Sequence, residues 1–116
     1  MLSAMRHAAL FIALIAAAPM APQSVMAAEL PVITMKDGVI TPARINVPAG
    51  KTVRIVVRNT GRAAAEFESK ALHIERIVPP AGQIVITLRN PAPGAYAFVD
   101  EFTENRASAH GVIIAK

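Results

Sequence analysis

From residue 30 onward, apolar and polar residues alternate in short runs, each stopped by proline, glycine or asparagine. The clearest run is 52–59, where Val53, Ile55 and Val57 fall on one side and Arg54 and Arg58 on the other. That period of two belongs to a half-buried strand. Ile84, Ile86 and Leu88 repeat it, and Ile45 and Val47 give a shorter version within 44–47. Residues 30–35, 74–78 and 111–116 read as further strands, with 64–68 short and extended and 69–73 a loop or helical turn. Residues 40–42 read as a lead into 44–47. Turn signals separate the runs at Lys36-Asp37-Gly38, Pro48-Ala49-Gly50, Thr60-Gly61, Pro79-Pro80-Ala81-Gly82, Asn90-Pro91 and Pro93-Gly94. Seven or eight strands spaced roughly ten residues apart, without an amphipathic helix or an internal repeat, predict one all-β domain. The expected architecture is an antiparallel β-sandwich or small barrel.

The last quarter organises this domain. After Pro93-Gly94, the side chains of Tyr96, Phe98 and Asp100 alternate onto one strand face. Two aromatics mark that face as core, and the same face then presents a carboxylate. A buried carboxylate needs water, a hydrogen-bond donor, a cation or a metal. The predicted interior joins Tyr96 and Phe98 to Val53, Ile55, Ile86 and either Val112 or Ile114.

The first residues follow a different pattern. Arg6 precedes an apolar run over 8–18, and Val25-Met26-Ala27 places small residues where a peptidase cuts. This is the pattern of a secretory signal peptide over 1–27, with a mature domain over 28–116 and a periplasmic destination. The run is too short and poorly flanked to anchor the chain, so the mature protein is not expected to span a membrane. Without the leader the domain has about 90 residues, enough for a single small core. Loss of Arg6 leaves eleven basic against eight acidic residues, the arginines scattered singly along the strands. No aromatic or glycine-rich element interleaves them, which argues against a nucleic-acid partner. There is no cysteine, so packing alone must hold the fold.

Candidate chemistry is confined to a few carboxylates and two histidines. Glu66 and Glu68 are two residues apart and share a strand face, with Phe67 opposite. They form either a solvated pair or half of a cation site, because like charges placed together repel unless offset. His73 and Glu75 have the same spacing and could supply one nitrogen and one oxygen; a salt bridge from Glu75 to Arg76 or Arg106 is the alternative. Asp100 either caps the 101–110 loop or serves as a ligand. Glu101 and Glu104 read as loop charges, Glu101 being kept in the candidate set, and His110 sits beside Gly111 at the start of the last strand. Such an oxygen-rich set favours iron, manganese or Cu(II). Gly-x-Ser-x-Gly, His-Glu-x-x-His and phosphate-loop motifs are all missing, so no catalytic residue is assigned.

The stretches TPARINVPAGKTVRIVVRNTG, AEFES and PGAYAFVDEF…GVIIAK, taken in order, resemble the cupredoxins. More closely, they resemble small periplasmic cupredoxin-like proteins that accompany high-affinity iron permeases, related to the N-terminal domain of EfeO-type iron-uptake proteins. The resemblance implies a Greek-key β-sandwich, a copper or iron ion and an inner-membrane iron permease as partner. It also implies a supporting role in ferrous-iron oxidation or electron transfer. The candidate metal set is Glu66, Glu68, Glu75, Asp100 and Glu101 with His73 and His110. Four positions depart from the pattern. Glu66 stands where a blue-copper protein has histidine, and Asp100 where it has the cysteine. Thr103 and Ala71 replace a histidine and an acidic residue common in the closer family. A trigonal His₂Cys centre cannot be assembled from two histidines and no thiol. A metal-free module that docks on a permease, or a metal chaperone, is the alternative function.

Overall fold

The computed structural model describes residues 3–6, 8–20 and 29–116. The predicted processing site at Val25-Met26-Ala27 lies outside the described residues. Residues 8–20 form neither strand nor helix, and their large apolar side chains are exposed, Phe11 at 93% for example. Among the described residues no helix is long and apolar enough to cross a membrane.

Nine strands build the domain: β1 (Val32–Lys36), β2 (Val39–Thr41), β3 (Arg44–Val47), β4 (Val53–Asn59), β5 (Ala65–Ser69), β6 (Ile74–Val78), β7 (Gln83–Leu88), β8 (Gly94–Asp100) and β9 (His110–Ala115). Two short 3-10 turns, Glu101–Thr103 and Ala107–Ala109, fill the connection from β8 to β9. The strands form a four-stranded sheet ordered β2-β1-β4-β7 and a five-stranded sheet ordered β3-β9-β8-β5-β6. Their inner faces pack into a β-sandwich, as the strand spacing predicts. The pairing is mixed: β1 runs parallel to β4 and β3 parallel to β9, while the remaining pairs are antiparallel.

The core follows from alternation. In β4 the side chains of Val53, Ile55 and Val57 are buried while Arg54 and Arg58 are exposed. Ile86 and Leu88 meet them from β7. Across the sandwich, Phe67 and Phe98 are fully buried and stacked with centroids 5.0 Å apart. Tyr96 is only half-buried, its hydroxyl donating to the Ala92 carbonyl at 2.7 Å. The last strand departs from expectation. Ile113 and Ala115 face the core, and Val112 and Ile114 face outward. The phase is set by Gly111, which lies against the Phe98 ring where no Cβ could fit. Among the described residues, the buried apolar side chains of the core all lie between Ile33 and Ala115.

Two polar side chains fix the approach to β5. Buried Asn59 donates through Nδ2 to the carbonyls of Ala63 (2.8 Å) and Val78 (2.9 Å), and its Oδ1 accepts from the Gly61 amide at 2.9 Å. Asp37 sits in a two-residue Asp-Gly hairpin turn at φ +46°, followed by Gly38 at φ +81°. Positive φ at both central positions is the geometry that matches the twist of flanking strands. The Asp37 carboxylate then accepts from the amides of Arg62 (2.8 Å) and Ala63 (3.3 Å), which hold its pKa below the usual carboxylate range.

Candidate metal centre

The two acidic stretches singled out in the sequence meet. β5 pairs with the end of β8, Phe67 facing Asp100 and Glu68 facing Val99. On β5, Phe67 points into the core, so Glu66 and Glu68 point outward. β6 then places Glu75 directly opposite Glu68 and Ile77 opposite Glu66. The turn that follows Asp100 brings in Glu101. Carboxylate oxygens of Glu66, Glu75 and Glu101 all lie within 4.8 Å of one another.

The electrostatics of this cluster are one-sided. Glu66 is only 8% exposed, and the charged groups that shape its acidity are Glu75 and Glu101. Its pKa is pushed up to about 7, first by a hydrogen bond shared with Glu75, then by burial and by the charge on Glu101. Glu68 is also raised, mainly by burial and then by Glu101, with Lys70 pulling the other way. Lys70, which the sequence reading passed over, is a basic residue that acts on Glu68 from beside the group. Its position two residues after Glu68 was the available signal. Glu68, Lys70, His73 and Glu75 line one cleft of about 260 Å³. His73 enters that cleft from a turn, at φ +55°, with Ser69 Oγ accepting from the Leu72 amide at 3.3 Å.

Asp100 is placed differently. It is 3% exposed on the inner face. Its Oδ1 accepts from the amides of Glu66 (3.0 Å) and Phe102 (3.3 Å), and its Oδ2 from the Thr103 hydroxyl at 3.1 Å. It therefore caps the first 3-10 turn and ties that turn to β5. His110 is exposed, and its Nε2 donates to the Glu104 carbonyl at 2.6 Å. On the outer sheet face Val99 separates His110 from Glu68. The structure thus gathers Glu66, Glu68, Glu75 and Glu101 with His73 at their margin, and holds Asp100 and His110 apart from them. Arg106, an alternative partner for Glu75, instead donates to the Asp37 carbonyl at 3.1 Å.

A sequence profile described as Cupredoxin-like domain matches residues 7–115. The chain belongs to this cupredoxin-like family. An uncharacterized protein of Rickettsia prowazekii (strain Madrid E) is 37% identical over 82 residues, 71% of this chain and 64% of the relative. The chain thus spans less than two thirds of that relative's length. Among solved structures, reduced auracyanin from Roseiflexus castenholzii superposes with a TM-score of 0.62 at 19% identity, covering 78% of this chain and 99% of that one. Amicyanin from Paracoccus versutus gives 0.61 at 11%, covering 79% and 86%. The metal-binding domain of the Cu(I)-exporting P-type ATPase of Streptococcus pneumoniae, solved with Cu(I), gives 0.59 at 16%, covering 73% and 82%. At these identities the likeness is one of fold.

A blue-copper ion does not fit this cupredoxin-like chain. It has no thiol, and the carboxylate at the end of β8 already accepts three protein hydrogen bonds. The nearby imidazole is likewise engaged with a backbone carbonyl.

Proposed function

We propose that this protein binds a divalent transition-metal ion on the outer face of its five-stranded sheet and acts as an exported, periplasmic accessory of iron uptake. Glu66, Glu75 and Glu101 supply the oxygens, and Glu68 and His73 complete the set from the adjoining cleft. The observation that carries this reading is the three-carboxylate cluster itself, its oxygens within 4.8 Å and its most buried member surrounded by acids. Like charges at that separation are offset by a shared proton or by a cation. Oxygen donors with one imidazole suit Fe(II), Mn(II) or Cu(II) rather than Cu(I). An inner-membrane iron permease is the partner that fits such a carrier, by the family resemblance in AEFES and PGAYAFVDEF. The same resemblance links the ion to ferrous-iron oxidation; the cluster's own contribution is to hold and present it.

The test is calorimetric titration of residues 29–116 with Mn(II), Cu(II) and, under anaerobic conditions, Fe(II). One saturable site is expected, weakened at least roughly tenfold when Glu75→Gln and Glu101→Gln are combined. A second reading rests on Asp100, whose hydrogen bonds close the pole without an ion. On that reading the protein is a metal-free module that docks on the permease. Absence of heat with all three ions selects it.

A further inference from the structure

The four-stranded sheet turns a basic and apolar face to solvent, and strand register sets its outward side chains in rows. Val32, Val56 and Val85 stand side by side across β1, β4 and β7, all half-buried. Thr34, Arg58 and Gln83 form the row on one side of them, with Thr41 at its β2 end. Arg58 Nε donates to Gln83 Oε1 at 3.1 Å, which fixes the guanidinium over the β4–β7 pair. Arg54 and Thr87 form the row on the other side. Beyond the Arg58 row, Lys36 is paired with Val39, which is 47% exposed. Leu30, 40% exposed, comes two residues before Val32, level with Arg54. The strands of this sheet hold Lys36, Arg54 and Arg58 and no acidic residue. Acidic residues stand at its margins, each beside a basic one. Asp37, in the β1–β2 turn, accepts from the Arg62 and Ala63 amides and lies under the charges of Lys36 and Arg62. Glu29 adjoins Leu30 at the Arg54 corner, and Glu75, across a cleft from β7, is followed by Arg76.

A sheet face that meets only water is polar at its outward positions. Here the middle row is three valines, and two more large apolar side chains are exposed beside Arg54 and Lys36. The main clefts of the molecule are lined by β5 to β8 and their turns, without a residue of β1, β2 or β4. A face without a cleft suits a broad partner rather than a small molecule or an inserted side chain. An acidic protein would have to match the fixed spacing of Arg54 and Arg58, about 13 Å along β4. Lipid headgroups move sideways to meet any spacing, and beneath them lies an apolar layer. We propose that the outer face of the four-stranded sheet docks on an anionic phospholipid bilayer. Arg54, Arg58 and Lys36 meet the headgroup phosphates. Leu30 and Val39 enter the boundary between headgroups and acyl chains. The acidic cluster lies on the outer face of the other sheet, so an anionic surface repels it and leaves it open to solvent. The docking therefore does not rest on the metal reading.

Vesicle co-sedimentation tests this with residues 29–116, which contain the buried apolar core of the described residues. The apolar run over 8–18 is left out because it would partition into lipid by itself. The probes are vesicles of phosphatidylglycerol and phosphatidylcholine in equal amounts, and vesicles of phosphatidylcholine alone. Binding is expected to the first and not to the second, and about 0.5 M salt should reverse it. Each basic residue at an anionic surface is worth roughly fivefold in partitioning. Arg54→Glu combined with Arg58→Glu should therefore weaken binding about 25-fold or more. Arg44→Glu combined with Arg76→Glu changes the net charge equally, at exposed sites of the five-stranded sheet, and should retain binding. Val39→Trp gives the chain a single tryptophan, whose emission should move to shorter wavelength on the anionic vesicles. Absence of binding to anionic vesicles overturns the inference. So does an equal loss in the two charge-reversed pairs, or tryptophan emission that stays unshifted in the bound protein. Binding to soluble polyglutamate without binding to vesicles also overturns it, and assigns the face to an acidic protein.

Discussion

Glu66 carries the sharpest consequence of any single residue. Its pKa is raised from 4.5 to about 7, so between those values the folded chain holds a proton that the unfolded chain has released. Stability therefore falls as pH rises through that window, the reverse of the usual behaviour of a salt-bridged carboxylate. Thermal melts of residues 29–116 should show a higher melting temperature at pH 5 than at pH 8. Glu66→Gln should flatten the difference. A bound divalent ion should also remove it, by supplying at pH 8 the positive charge that the proton supplies at pH 5. A melting temperature that climbs from pH 5 to pH 8 would contradict the clustered arrangement. Asp100 makes the contrasting case, since its neighbours are donors rather than acids. Asp100→Ala leaves the amides of Glu66 and Phe102 without their acceptor, at about 1–3 kcal/mol for each group that stays buried. Urea denaturation should register a loss of that order. Asp100→Asn, which keeps one acceptor oxygen, should lose less and should leave cation binding in place.

At the level of strands, legibility tracked how local the deciding contact is. β4 alternates strictly, and its inward and outward positions are readable from VRIVVRN alone. β9 offers three successive apolar residues, Val112, Ile113 and Ile114, so alternation cannot choose among them. The choice of Ile113 is made from a distance, by Ile45 on β3 and by the Phe98 ring over Gly111. Gly111→Ala should therefore cost about 1–3 kcal/mol through overpacking, measured by chemical denaturation, although alanine is the smallest possible addition. A neutral result would mean that the ring yields freely. β2 has three residues and no pattern long enough to notice. The site divides in the same way. That Glu66 and Glu68 share a face is a local fact, visible from their spacing. That Glu75 lies across from Glu68 depends on the length of the 70–73 turn, and that Glu101 rather than Asp100 turns outward depends on a 3-10 turn that Asp100 itself caps.

For the molecule as a whole, the acidic strand residues are confined to one sheet, while basic ones occur in both. β1, β2, β4 and β7 contain Lys36, Arg54 and Arg58 and no acidic residue, whereas Glu66, Glu68, Glu75 and Asp100 all lie in the five-stranded sheet. A cation bound at the acidic cluster therefore reduces repulsion within one layer. By mass action it should stabilise the fold by roughly 2.7 kcal/mol at a hundredfold excess over its dissociation constant. A melting temperature unmoved by Mn(II), Fe(II) and Cu(II) at pH 8 would remove the metal reading and leave the metal-free docking module in its place. The parallel pair of β3 and β9 bears on how the molecule comes into being. Arg44 to Val47 find their hydrogen-bonded neighbour only in Val112 to Ala115, nearly seventy positions later. The five-stranded sheet cannot be completed before β9 is in place, because β9, its second strand in spatial order, follows all the others in the chain. Contacts of such long sequence separation fold slowly. Docking of β9 between β3 and β8 is therefore the step at which the sandwich closes, and it is the step in refolding expected to be slow.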